Sequence, residues 1–149
     1  MLEFGGRIAP TAEEQGMKVD GACYCGEITY EAEVDPEKVG VCYCTDCQTM
    51  TGGTTHVNAF VPEANFHLKS GSPTHFMKVA GNGDKRDMGF CGTCGTHLYA
   101  VGVEGPKVYG LRVPAMAQRA QLPPKVRYYL RSQQAWVAKA DSIPGHQTQ

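Results

Sequence analysis

The sequence has almost no net charge. Its 14 Lys and Arg stand against 15 Asp and Glu, a formal charge of -1, which removes the basic footprint that nucleic acid or an anionic membrane surface requires. It has no apolar run near the roughly 20 residues of a membrane span. It also lacks the charged segment followed by an apolar stretch of about 7–15 residues that marks secretion. The expectation is therefore a reducing, cytoplasmic setting, with no membrane and no nucleic-acid partner. Strand and helix patterns do not alternate, which argues against a parallel sheet. No repeat recurs at a period of about 20–50 residues. Ser/His/Asp sets, phosphate-cradling glycine loops and paired-carboxylate motifs are all missing.

What the chain does have is thiols in groups. The seven cysteines fall as Cys23-x-Cys25, Cys42-x-Cys44-x-x-Cys47 and Cys91-x-x-Cys94. An odd number cannot pair completely as disulfides, and clustered thiols in a reducing compartment are more often metal ligands or catalytic groups. The size fits one core and one domain. The 18 Gly and 9 Pro point to short elements separated by turns. Residues 1–16 carry no sustained periodicity and read as an extension, with residues 17–149 as the single domain.

Within that domain the chain reads as mainly β. Strands are expected at residues 18–24, 28–34, 39–42, 54–61, 66–69, 74–79, 88–91, 96–101, 107–113 and 126–131. In residues 54–61, Thr55, Val57, Ala59 and Val61 alternate with His56, Asn58 and Phe60, the mark of a half-buried strand. Ser70-Gly-Ser-Pro73 predicts a hairpin joining 66–69 to 74–79, and a second hairpin flanks Cys91 and Cys94. Residues 81–84 form a turn. Short helical turns are expected at 115–120 and 136–142, with Trp136 in the core.

Cys91-Gly-Thr-Cys94 between strands lets both sulfurs face one ion, with Gly95 taking the positive φ such a turn needs. Its alternative, a redox dithiol, belongs at a helix start in a βαβ setting that is absent here. Cys23 and Cys25 lie at i and i+2, one face of a strand, and complete four ligands for a closed tetrahedral zinc. Such an ion would staple the first strand region to the later hairpin and contribute folding free energy. Cys42, Cys44 and Cys47 remain, although residue order alone also permits other groupings of the seven thiols. Three protein ligands with an open fourth position is how a catalytic zinc is held. Copper(I) and an iron–sulfur cluster are softer-metal alternatives, and either His56 or His97 would close the site as a fourth ligand. An open position admits water or an external thiol. Zinc deprotonates a bound thiol near neutral pH, and a thiolate adds to a small aldehyde, the simplest being formaldehyde. Asp46 is read as capping the turn, with the alternative that it supports the open zinc. Arg112, Arg127 and Arg131 are read as solvated strand residues, with the alternative that they receive the carboxylates of a peptide-like thiol.

The set Gly21-x-Cys23-x-Cys25-Gly26, Cys42-x-Cys44-x-x-Cys47 and Phe90-Cys91-x-x-Cys94-Gly95-x-x-Leu98 resembles the glutathione-dependent formaldehyde-activating enzyme family. The likeness runs from about Met17 to the 136–144 region. It implies a zinc-stapled β-tent of small antiparallel sheets. It also implies two zinc ions, a structural one on Cys23, Cys25, Cys91 and Cys94 and a catalytic one on Cys42, Cys44 and Cys47. The implied activity is a carbon–sulfur lyase making S-(hydroxymethyl)glutathione from glutathione and formaldehyde. Tyr43 stands where many members carry histidine. The alternative from another class is a non-catalytic zinc-stapled module that binds a protein partner.

Overall fold

The computed structural model describes residues 16–149. The expected extension over residues 1–16 lies, apart from Gly16, outside the described residues. The chain is mainly β. Strands β1 (Met17–Ala22) and β2 (Thr29–Val34) lead to β3 (Val39–Cys42), helix α1 (Thr45–Thr51) and β4 (His56–Pro62). There follow β5 (Phe66–Ser70), β6 (Thr74–Val79), β7 (Lys85–Phe90), β8 (His97–Gly102), β9 (Val108–Arg112) and β10 (Val126–Tyr128). They form a three-stranded sheet, β1-β2-β5, and a seven-stranded sheet, β10-β3-β4-β9-β8-β7-β6. All pairings are antiparallel except β10 with β3. Among the described residues no helix is long and apolar enough to cross a membrane.

The core lies between the two sheets. Tyr30, Ala32 and Val34 come from β2, and Ala59, Val61, Leu98, Val101 and Leu111 from the large sheet. The expected alternation in β4 is observed. Ala59 and Val61 are sealed into the core with Val57 packed against them, so pleating turns His56, Asn58 and Phe60 to the opposite face. Burial of apolar area at about 25 cal/mol per Å² makes this sandwich the main source of stability. It also leaves the second face of the large sheet free to carry polar groups.

Several expectations are corrected. The strand expected at 18–24 stops at Ala22, so Cys23 and Cys25 sit in a turn and not on a pleated face. The 66–69/74–79 hairpin does not form. β5 joins β2, and β6 is the far edge of the other sheet. Phe66 explains the parting, because its ring packs 5.3 Å from that of Tyr30 and 4.7 Å from that of Tyr109. Gly71, at φ 74°, and the donorless Pro73 carry the chain across between sheets. The hairpin of β7 and β8 around Cys91 and Cys94 is as expected. Trp136 is not in the core, being 52% exposed. Helix α1 was not foreseen.

Candidate metal centres and the cleft beside the thiol triplet

The first group of sulfurs gathers where expected. The Sγ atoms of Cys23, Cys25, Cys91 and Cys94 all lie within 4.8 Å of one another. Cys23 and Cys25 are 3.6 Å apart, and Cys25 and Cys91 3.8 Å. Four thiolates about 2.3 Å from a zinc ion would form a tetrahedron with edges of about 3.8 Å. Backbone N–H groups prepare the sulfurs for charge: Ile28 N donates to Cys23 Sγ at 3.2 Å and Cys94 N to Cys91 Sγ at 3.5 Å. The Thr96 hydroxyl and then its backbone hold the Cys94 thiol down to about 5. Gly95 has φ 78° and returns its N–H to the Cys91 carbonyl at 2.8 Å. The donor set therefore fits one tetrahedral ion linking the β1–β2 turn to the β7–β8 turn.

The second group is built by helix α1. Cys42 ends β3, and Cys44 caps the helix, its Sγ accepting the Cys47 N–H at 3.3 Å. This places a residue at the cap and another at the third helical position on one side, as a capping box does. Cys44 and Cys47 Sγ are 2.9 Å apart, and Cys47 and Cys42 Sγ 3.4 Å. An ion seated among them would push the sulfurs apart. All seven cysteines are free thiols. Burial, followed by the neighbouring thiols, pushes Cys47 up. At Cys44 the opposing effect of burial is outweighed by bonds from Cys47 and Cys42 and by the Lys78 charge, which pull the thiol down.

His56 belongs to this group and His97 does not. Cys42 and His56 are directly paired across β3 and β4. His56 Nε2 lies 3.4 Å from Cys47 Sγ, and Cys42, Cys47 and His56 present donor atoms within 4.8 Å of one another. Arg112 Nη1 lies 3.2 Å from the same Nε2 and also donates to Asn58 Oδ1. Burial first, then the charges of Arg112 and Lys78, hold the His56 imidazole down to about 3.

Arg112 is the largest departure from the sequence reading. It is 5% exposed, not solvated. Among the described residues no carboxylate pairs with it. Burial draws its guanidinium below the ordinary value, while the charges of Cys47, Cys42 and Cys44 work in the opposite direction. A buried charge without a partner costs several kcal/mol. Three thiolates around a divalent ion leave one net negative charge, which is what this cation lacks. Arg127 and Arg131 are exposed, as expected, but the strand expected over 126–131 ends at Tyr128 and Arg131 lies in the helical turn Leu130–Ser132. Asp46 is not the cap. It ion-pairs with Lys78 at 2.9 Å, and this bond outweighs burial to keep the Lys78 ammonium above its usual range.

The thiol triplet lines a cleft of about 920 Å³ on the face of the seven-stranded sheet turned away from the core. Small residues floor it, among them Gly40, Gly110, Ala100 and Gly102. A Cβ at Gly40 would meet the Tyr128 ring at 2.6 Å, so a side chain there would have to displace that ring. Arg86, Tyr129 and Arg131 form part of the wall. Sequence reasoning missed Lys78, Asn58 and Tyr129. For Asn58 the pattern of β4 held the signal, since it puts a polar residue beside His56 on the face opposite the core.

Comparison with known proteins follows the same residues. A family described as glutathione-dependent formaldehyde-activating enzyme matches residues 18–132, a span that contains all seven cysteines. No curated protein matches the chain significantly. Among solved structures, the crystal structure of a Rhodobacter sphaeroides protein superposes with a TM-score of 0.55 at 21% identity. The match covers 74% of this chain and 99% of that one, a likeness of fold.

Proposed function

The chain belongs to the glutathione-dependent formaldehyde-activating enzyme family, and on that premise we propose that it is a zinc-dependent carbon–sulfur lyase. Its substrates in this reading are a glutathione-like thiol and formaldehyde or another small aldehyde. The thiol takes the fourth position beside Cys42, Cys44 and Cys47, and the tetrad Cys23, Cys25, Cys91 and Cys94 holds a structural zinc. The sulfur of the thiol forms a bond to the carbonyl carbon. The thiol proton ends on the carbonyl oxygen, giving a hydroxymethyl thioether, and the reverse reaction breaks the same bond. Zinc bound at the triplet supplies Lewis acidity that favours the thiolate over the thiol at neutral pH.

The chain's own residues supply the rest. Cys42, Cys44 and Cys47 provide the donor set. Arg112 balances its negative charge from the buried side. The cleft gives a peptide-sized thiol room to lie along the sheet, and Arg86 and Arg131 on its wall offer charge to carboxylates. The observation that carries the reading is the position of the triplet. It lies in the wall of the large cleft, beside a buried cation with which no carboxylate pairs among the described residues.

The test is metal stoichiometry combined with thiol binding. Two zinc ions per chain are expected, with glutathione sulfur reaching the triplet ion in a soaked crystal. Formation of the hydroxymethyl adduct, followed by NMR with labelled formaldehyde, should exceed the uncatalysed rate. Cys44→Ser should remove one zinc and the activity while the domain stays folded. Two zinc ions inert to added thiol would sink the enzyme reading. They would favour a protein-binding module, for which the exposed Phe76, Met77 and Val79 on edge strand β6 offer an apolar contact.

A further inference from the structure

His56 is placed where one lone pair faces two claimants. An arginine guanidinium donates and never accepts, so the contact from Arg112 Nη1 at 3.2 Å requires an unprotonated Nε2. The ring proton then sits on Nδ1. That lone pair is also 3.4 Å from Cys47 Sγ, and His56 faces Cys42 across the ladder. Neutral imidazole with a free Nε2 is a zinc ligand in all respects but one. Histidine ligands almost always donate their other N–H to an acceptor, which orients the ring and raises its basicity. Here His56 Nδ1 is buried with no partner among the described residues. The ring is therefore a weakly supported donor, suited to being replaced.

We propose that His56 Nε2 is the resident fourth donor at the Cys42, Cys44 and Cys47 metal position, and that a substrate thiol displaces it, the released lone pair being taken up by Arg112. This rests on the reading of the triplet as the thiol-binding site. It changes that site from an open position to one closed by an exchangeable protein ligand. Three thiolates with a neutral imidazole around a divalent ion leave one net negative charge, which Arg112 balances, and a substrate thiolate in place of the imidazole adds a second. In the displaced state the guanidinium keeps Asn58 Oδ1 as well, and the ring needs no large movement, because Nε2 is already within reach of both partners. His97 is excluded from the role. It pairs with Phe90 across β7 and β8 and joins neither group of clustered donors.

The experiment uses the full chain loaded with cobalt(II), whose ligand-field bands report the donor set. His56→Ala should shift those bands and weaken zinc binding at the triplet at least tenfold. It should also lower the glutathione concentration that half-converts the spectrum several-fold, because the competing donor is gone. His56→Gln keeps a neutral acceptor for Arg112 and should behave in the same way, which separates ligation from packing. His97→Ala should leave both readouts unchanged. Spectra and zinc affinity indifferent to both His56 substitutions would overturn the assignment. Glutathione that alters neither the wild-type nor the His56→Ala spectrum would overturn the exchange and the thiol-binding reading together. In that case a shift caused by the His56 substitution alone would still mark a permanently closed site.

Discussion

Gln48, one turn into the thiol-bearing helix, donates from Nε2 to the Ser132 carbonyl at 2.9 Å and so ties the triplet to the C-terminal segment. The same nitrogen donates to the Tyr43 carbonyl at 2.8 Å, and Gln48 Oε1 accepts from Gln134 at 2.9 Å. One partly buried side chain thus fixes the loop before the helix and the stretch bearing Tyr129 and Arg131, which line the cleft. Gln48→Ala should lower stability by about 1–3 kcal/mol, because carbonyls in partly dry surroundings lose their donors. It should also raise hydrogen exchange in residues 128–134 well before global unfolding. Exchange in that segment no faster than in wild type would show that the strap is held by other contacts.

Much of this arrangement could be read from residue order. The alternation in β4 gave the buried face, and the spacing of Cys91 and Cys94 gave a turn with Gly95 in the left-handed region. Both are local patterns governed by one strand or one turn. What was missed depends on contacts between distant segments. Phe66 draws β5 away from β6 through Tyr30 and Tyr109, and neither partner is close to it in sequence. Arg112 looked like a surface cation because the strand pattern of 107–113 does not say which face of the sheet the thiols occupy. Helix α1 escaped notice because its cap is a sulfur, Cys44, at a place usually filled by Ser, Thr, Asp or Asn.

Arg112 should matter more with zinc bound than without it. Without the ion its charge lies buried beside protonated thiols, so its removal relieves a cost while leaving Asn58 and His56 without a donor, two effects of opposite sign. With the ion in place it is the countercharge. Arg112→Met is expected to weaken zinc binding at the triplet by about tenfold to a hundredfold, the range known for residues that support metal ligands. The affinity of the Cys23, Cys25, Cys91 and Cys94 site should not change. Titration against a calibrated chelator checks both arms. Zinc affinity at the triplet unchanged by Arg112→Met, or lowered equally at both sites, would mean that Arg112 is not the countercharge of the triplet.

Tyr30 should make the protein sensitive to alkali. Its ring lies in the core opposite Gly21, and its hydroxyl is buried without a partner among the described residues. Burial raises its ionisation above the ordinary value of 10. Below pH 10 the phenol is neutral in both folded and unfolded chains, and its contribution is fully present. Above pH 10 the unfolded chain loses the proton while the folded one keeps it, so stability falls as pH rises, by up to about 1.4 kcal/mol per pH unit. Tyr30→Phe removes this proton and also an unpaired buried hydroxyl. It should leave stability at pH 7 unchanged or higher by about 1 kcal/mol, and flatten the decline above pH 10. The decline should not disappear, because burial also holds Tyr99 up at about 12. Chemical denaturation from pH 7 to 11 measures both limbs, and parallel curves for the two proteins above pH 10 would mean that Tyr30 does not carry the alkaline loss.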